Sequence, residues 1–150
     1  MTADRKRVLF VCIGNACRSQ MAEAFARHYG NDVLIAGSAG VAPAGFVAPD
    51  TVRAMKEKNI DLRDHFSKGF RQLGRARFDL IVNMSGEDLP EGFGEEIVEW
   101  DVLDPVSLDF KEHCEVRDTI ERMVINLVDE MRAESLKPRF RGQGSGRLEL

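Results

Sequence analysis

At 150 residues, 43% hydrophobic and 31% charged, the chain has the size and balance of one globular domain with a real core. A formal net charge of −4 gives neither nucleic acid nor an anionic membrane a reason to be the main partner, and no apolar stretch approaches the roughly 20 residues that cross a bilayer. Three cysteines, an odd number, do not make a disulfide framework, and the three histidines do not cluster with them as zinc ligands would, so no metal or cofactor is expected.

The start, Met1 to Arg7, is charged and leads into only a short apolar run, which is not a secretory pattern; the cytosol is the expected compartment. Val8-Leu9-Phe10-Val11, β-branched and aromatic, reads as a buried first strand. Residues 12–19, Cys-Ile-Gly-Asn-Ala-Cys-Arg-Ser, follow directly. From Ser19 onward, apolar Met21, Ala22, Phe25 and Tyr29 recur at helical spacing. Val33 to Ala36 reads as strand two, and Gly37 to Ala48, rich in Gly, Ala and Pro, as a loop.

A helix is expected at about 49 to 58, with Pro49 in its first turn and apolar side chains at Val52 and Met55. Residues 67–74 suggest a short helix, Phe78 to Met84 strand three, and Glu96 to Trp100 strand four. Val116, Ile120, Met123, Leu127 and Met131 form one stripe of a last helix, with charged residues opposite. Lys137 to Leu150 is basic, Gly-rich and without periodicity, and reads as a tail beyond a single domain at 1–136.

Strand and helix signals alternate, which argues for an α/β three-layer sandwich. The expected sheet is four-stranded, parallel and flavodoxin-like, in order 2-1-3-4, with right-handed crossovers and helices on both faces. Ligands in such sheets bind outside the carboxyl ends of the strands. The segment 12–19 lies at such an end.

A loop joining a strand's carboxyl end to a helix's amino end presents unpaired N–H groups and the positive end of the helix dipole, which together favour an anion. In that setting Cys12 is the candidate nucleophile, because the local positive potential favours a thiolate. Arg18 can grip two oxygens of a tetrahedral oxyanion. The N–H groups of Ile13, Gly14, Asn15, Ala16, Cys17 and Arg18 complete a cradle. Gly14 permits close approach, and Asn15 tolerates a left-handed conformation. Ser19 is placed to donate to the Cys12 thiolate and to cap the helix. Cys17 reads either as a packing residue or as a reversible disulfide partner that shields Cys12 from oxidation. His28, His65 and His113 read as surface or packing residues.

Cys12 to Ser19 resembles the phosphate-binding loop of the low-molecular-weight protein tyrosine phosphatases and the thioredoxin-coupled arsenate reductases, which share one fold. The resemblance continues through Ser38-Ala39-Gly40, Pro49 to Asp61 and Asp104-Pro105, and covers roughly residues 7 to 133. It implies phosphate-monoester hydrolysis through a phosphocysteine, on an aryl phosphate or protein phosphotyrosine, with phosphate, sulfate or arsenate as ligand or inhibitor. Arsenate reduction is the alternative, and a phosphocysteine carrier or oxyanion-binding module the second.

The family places its general acid at an Asp-Pro pair, which points to Asp104; Asp101 is the competing carboxylate, with no Pro after it. Val106-Ser107 stand where the phosphatases carry tyrosines, so Phe46 is the expected aromatic wall, with Phe110 a second candidate. The reductases relay oxidation through further cysteines near the end of the third strand. Residues 82–90 contain none, and Cys114 lies elsewhere. Thioredoxin is a partner only if the reductase alternative holds.

Overall fold

The computed structural model describes residues 5–136; the tail read at 137–150 lies outside the described residues. The chain runs β1 (Lys6–Cys12), α1 (Arg18–Gly30), β2 (Leu34–Gly40), α2 (Pro49–Lys56), a 3-10 turn (Phe70–Leu73), β3 (Phe78–Asn83), β4 (Gly94–Glu99) and α3 (Phe110–Ser135). The four strands pair in parallel in the order β2-β1-β3-β4, so the expected flavodoxin-like sheet is present. Among the described residues, no helix is long and apolar enough to cross a membrane.

β1 is central because its sequence can be buried on both faces, as an interior parallel strand must be. Val8, Leu9, Phe10 and Val11 are all fully buried. Val8 and Phe10 face α1 and α3, packing with Met21, Phe25, Ile120 and Val124. Leu9 and Val11 face the other way, onto Phe70, Phe78 and Ile81. Helical cover therefore lies on both faces, but on the second, among the described residues, it is only the 3-10 turn. Phe25 is fully enclosed, and Phe25→Ala would cost about 3–5 kcal/mol. Asp109 caps α3 by accepting from the Glu112 N–H at 2.8 Å, the reciprocal arrangement of a capping box.

Three elements differ from their sequence reading. Strand two does not stop at Ala36: Gly37 to Gly40, read as loop, continues β2 in full register with β1 to the pair Cys12↔Gly40. Its small residues reflect what lies on top. A Cβ on Gly40 would stand 2.7 Å from the Ile13 carbonyl oxygen and 2.9 Å from the Asn15 nitrogen, so the loop after β1 admits only glycine there. β4 begins two residues early, at Gly94 opposite Phe78. As an edge strand it exposes Glu95, Glu96 and Glu99 and needs no apolar alternation. In α3 the fully buried row is His113, Val116, Arg117, Ile120, Val124 and Val128. The expected Met123, Leu127 and Met131 are only partly buried, because they line the groove beside Trp100 at the sheet edge.

Candidate active site

The loop between β1 and α1 is shaped by where its carbonyl groups go. The Cys12, Ile13, Gly14 and Ala16 oxygens accept from the N–H groups of Val41, Ala42, Ala44 and Ala48, at 2.8 to 3.1 Å. The Asn15 oxygen accepts from Gln20 Nε2 at 3.0 Å. In a planar trans peptide the N–H points away from its carbonyl. Fixing five carbonyls outward therefore turns the N–H groups of Ile13 to Cys17 to the opposite side, around Cys12 Sγ.

Asn15 holds this turn. It is fully buried and left-handed, with φ 49°. Its Nδ2 donates to Ser19 Oγ at 2.7 Å and Ser38 Oγ at 3.0 Å, while Oδ1 accepts from Gln20 Nε2 and the Lys68 N–H, both at 2.9 Å. Gln20 Oε1 in turn accepts from His65 Nδ1 at 2.8 Å, so that ring nitrogen carries the proton. Beneath the loop, buried Glu23 accepts from Ser38 and pairs with Arg27 at 2.5 Å.

Cys12 is 2% exposed, and the contacts of its Sγ are short. The sulfur lies 2.9 Å from Ser19 Oγ and 3.4 Å from the Ser19 N–H, two groups that can donate to a thiolate. Arg18, expected just before the helix, is its first residue and is 5% exposed. Its Nη1 donates to the Met84 carbonyl at 2.6 Å and the Val102 carbonyl at 3.0 Å. Nη2 faces Asp104 Oδ2 at 3.3 Å, and buried Nε has no partner among the described residues. One corner of the guanidinium is thus fixed by two neutral oxygens. The Nε–Nη2 edge is the one left for a two-point grip.

Asp104 opens into the same pocket as Cys12, with Oδ1 accepting from the Val106 N–H at 3.1 Å. Asp101 is exposed and does not line it. Ala44, Phe46, Ala48, Pro49 and Asp50 form the facing wall, and Val106 and His113 close the side. Phe46 is 58% exposed, a ring at the mouth of the pocket. Phe110 does not line the pocket; its ring lies under the Arg53 guanidinium, 3.7 Å from the centroid.

The thiols differ. Burial pushes the Cys17 thiol up to about 11, against a hydrogen bond with Thr51 that lowers it. Cys17 is therefore protonated near neutral pH. Cys114 lies away from the pocket, beside Glu57 Oε1 at 3.7 Å. The loop after β3 carries no thiol.

Sequence reasoning passed over His113 and Thr51. His113, grouped with packing histidines, is 2% exposed; its Nε2 lies 2.9 Å from Thr51 Oγ1. Burial pushes its pKa down, opposed by Asp50 and by a hydrogen bond to the Pro105 backbone. The one available signal was its position a turn into the helix after Asp104-Pro105. The Met84 and Val102 carbonyls could not be foreseen, since a backbone oxygen has no residue type.

The low molecular weight phosphotyrosine protein phosphatase family matches residues 7–137. An arsenate reductase from Staphylococcus xylosus is 33% identical over 129 residues, 82% of this chain and 96% of its own length. Among solved structures, an arsenate reductase in the phosphate binding state superposes with a TM-score of 0.76 at 29% identity, covering 84% of this chain and 98% of its own. The YwlE arginine phosphatase from Geobacillus stearothermophilus gives 0.75 at 25% identity, covering 90% and 98%.

Proposed function

The chain belongs to the low molecular weight phosphotyrosine protein phosphatase family, and from that premise we propose that it hydrolyses phosphate monoesters through a phosphocysteine on Cys12. The observation that carries this reading is the placement of Asp104: its carboxylate stands 3.3 Å from Arg18 Nη2 and lines the same pocket as Cys12.

The steps follow from the side chains. The Cys12 thiolate attacks phosphorus in line while the inward N–H groups of Ile13 to Arg18 and the Arg18 fork hold the non-bridging oxygens. The phosphoryl oxygens take over Nη2, which releases Asp104 from Arg18 and frees its carboxyl for the leaving oxygen. Released from Arg18, Asp104 takes up a proton from solvent; as the P–O bond breaks it gives that proton to the leaving oxygen and is left as the carboxylate. Water then attacks the phosphocysteine, Asp104 takes a proton from it, and the P–S bond breaks to return phosphate and the Cys12 thiolate. Ser19 holds the sulfur in both halves. Phe46 is positioned to lie against an aryl group, so aryl phosphates, protein phosphotyrosine included, are the proposed substrates.

Arsenate reduction is the second reading, favoured by the names of the relatives: the Staphylococcus xylosus protein and the structure in the phosphate binding state are both arsenate reductases. The cradle suits arsenate as well as phosphate. Reduction also needs thiols to supply two electrons. In this chain they would pass through buried Cys17 or come from an external thiol such as thioredoxin, since the loop after β3 carries no cysteine and Cys114 does not line the pocket. Side-by-side assays of p-nitrophenyl phosphate hydrolysis and thioredoxin-coupled arsenate reduction separate the two. Hydrolysis far exceeding reduction is expected, and efficient reduction with little hydrolysis would reverse the order.

A further inference from the structure

The stretch between β2 and α2 holds the Cys12 loop at both of its ends but not at its tip. Val41, Ala42, Ala44 and Ala48 donate their N–H groups to the loop, and Val47 packs against the core. Gly45 and Phe46 lie between these anchors. Gly45 turns the chain outward at φ 90°, a conformation that favours glycine, and Phe46 stands 58% exposed at the pocket mouth. Among the described residues this tip has a single hydrogen bond, the Gly45 N–H donating to Ser67 Oγ at 3.1 Å. The Ser67 hydroxyl in turn donates to the Gly14 carbonyl, inside the Cys12 loop, at 3.0 Å.

We propose that Ser67 is a positioning residue for Phe46, hanging the loop tip on the Cys12 loop and so setting how well the pocket takes a flat aromatic leaving group. This rests on the reading of Phe46 as the wall against an aryl group. Ser67 is itself held in place. The next residue, Lys68, donates its N–H to Asn15 Oδ1 at 2.9 Å and accepts through its carbonyl from the Gly40 N–H at 2.8 Å. The backbone that carries the hydroxyl is therefore fixed both to the support of the cradle and to β2. A hydroxyl also has the valence the task needs: its one proton goes to Gly14, and a lone pair takes the Gly45 N–H. The cradle does not depend on this bridge, because the Gly14 oxygen also accepts from the Ala44 N–H at 2.9 Å. Ser67 acts on the ring and leaves the phosphate grip alone.

The test separates ring from phosphate. Hydrolysis of p-nitrophenyl phosphate is inhibited either with benzylphosphonate, in which a methylene replaces the ester oxygen and a ring is present, or with inorganic phosphate, which has none. Ser67→Ala raises the inhibition constant of benzylphosphonate by about 3- to 10-fold, the range to which the net contribution of one hydrogen bond converts. The constant for phosphate stays within about 2-fold. KM for p-nitrophenyl phosphate rises in the same variant while kcat holds within about 2-fold. Ser67→Thr keeps the hydroxyl and recovers most of the loss.

Equal rises for the two inhibitors, or none for either, would overturn the inference. Phe46→Ala run in parallel separates it from the reading beneath it. A selective loss in Phe46→Ala without one in Ser67→Ala removes only the positioning role. No selective loss in Phe46→Ala removes the wall and the inference with it. In the double variant Ser67→Ala adds nothing to the loss from Phe46→Ala if both act through one ring, whereas additive losses would show Ser67 acting elsewhere and overturn the inference.

Discussion

Arg18 and Asp104 meet at the rim of the cradle, with Nη2 3.3 Å from Oδ2, one side chain almost enclosed and the other well exposed. In the proposed reaction this pair couples oxyanion binding to proton delivery. The guanidinium edge that would hold the phosphoryl oxygens is the same edge that holds the carboxylate, so substrate and acid meet at one atom.

Arg18→Lys keeps the charge and loses the geometry. Lysine cannot reach the Met84 and Val102 carbonyls and also present a planar two-point grip. A loss of about 10²-fold or more in kcat/KM for p-nitrophenyl phosphate is expected, since this interaction tightens in the transition state. Near-parental turnover would show that Arg18 does not hold the transferred group.

Asp104→Asn is expected to slow poor leaving groups most. Phenyl phosphate should lose about 10²-fold or more in kcat, and p-nitrophenyl phosphate much less. A plot of log kcat against leaving-group pKa should therefore steepen in the variant. An unchanged slope contradicts the assignment.

Cys17 gives a pH prediction. Its folded-state thiol is raised from the ordinary 9.0 to about 11, so the native state favours the protonated form. The corresponding stability is present below pH 9 and is lost as pH rises from about 9 to about 11, a change on the order of 3 kcal/mol. Denaturant unfolding of Cys17→Ala should show a correspondingly flatter decline across that window. An identical decline in both proteins would place the effect elsewhere.

Cys114 should be dispensable. It lies against Glu57 and away from the pocket, so Cys114→Ser, a near-isosteric change at a half-buried position outside the site, is expected to hydrolyse p-nitrophenyl phosphate within about 2-fold of the parent. If thioredoxin-coupled arsenate reduction proved efficient and depended on Cys114, the preference for hydrolysis would be wrong.

Much of the fold was legible because β1 and β3 are short apolar runs and α1 and α3 carry helical periodicity. The extent of β2 was not, because Gly37, Ser38, Ala39 and Gly40 are chosen for what packs on them: Gly40 has no room for a Cβ beneath the Ile13 carbonyl. Composition reports local preference, and here tertiary contact overrode it. In the site, residue type and spacing pointed to Cys12 and Arg18 and the family resemblance to Asp104, and all three line one pocket. The Asn15–Gln20–His65 support, the carbonyls that hold Arg18, and the contact between Thr51 and His113 join residues distant in sequence. No short-range pattern announces such contacts.

The central claim is that Cys12 carries the phosphoryl group, and the most direct test is the mass of the acid-quenched enzyme during turnover of p-nitrophenyl phosphate. The account predicts a species heavier by one phosphoryl group, located by fragmentation on Cys12, and the loss of both this species and hydrolysis in a folded Cys12→Ser. A serine hydroxyl does not ionise appreciably near neutral pH and cannot take over the attack. Sustained hydrolysis by Cys12→Ser, or a phosphoryl adduct on a different residue, would contradict it.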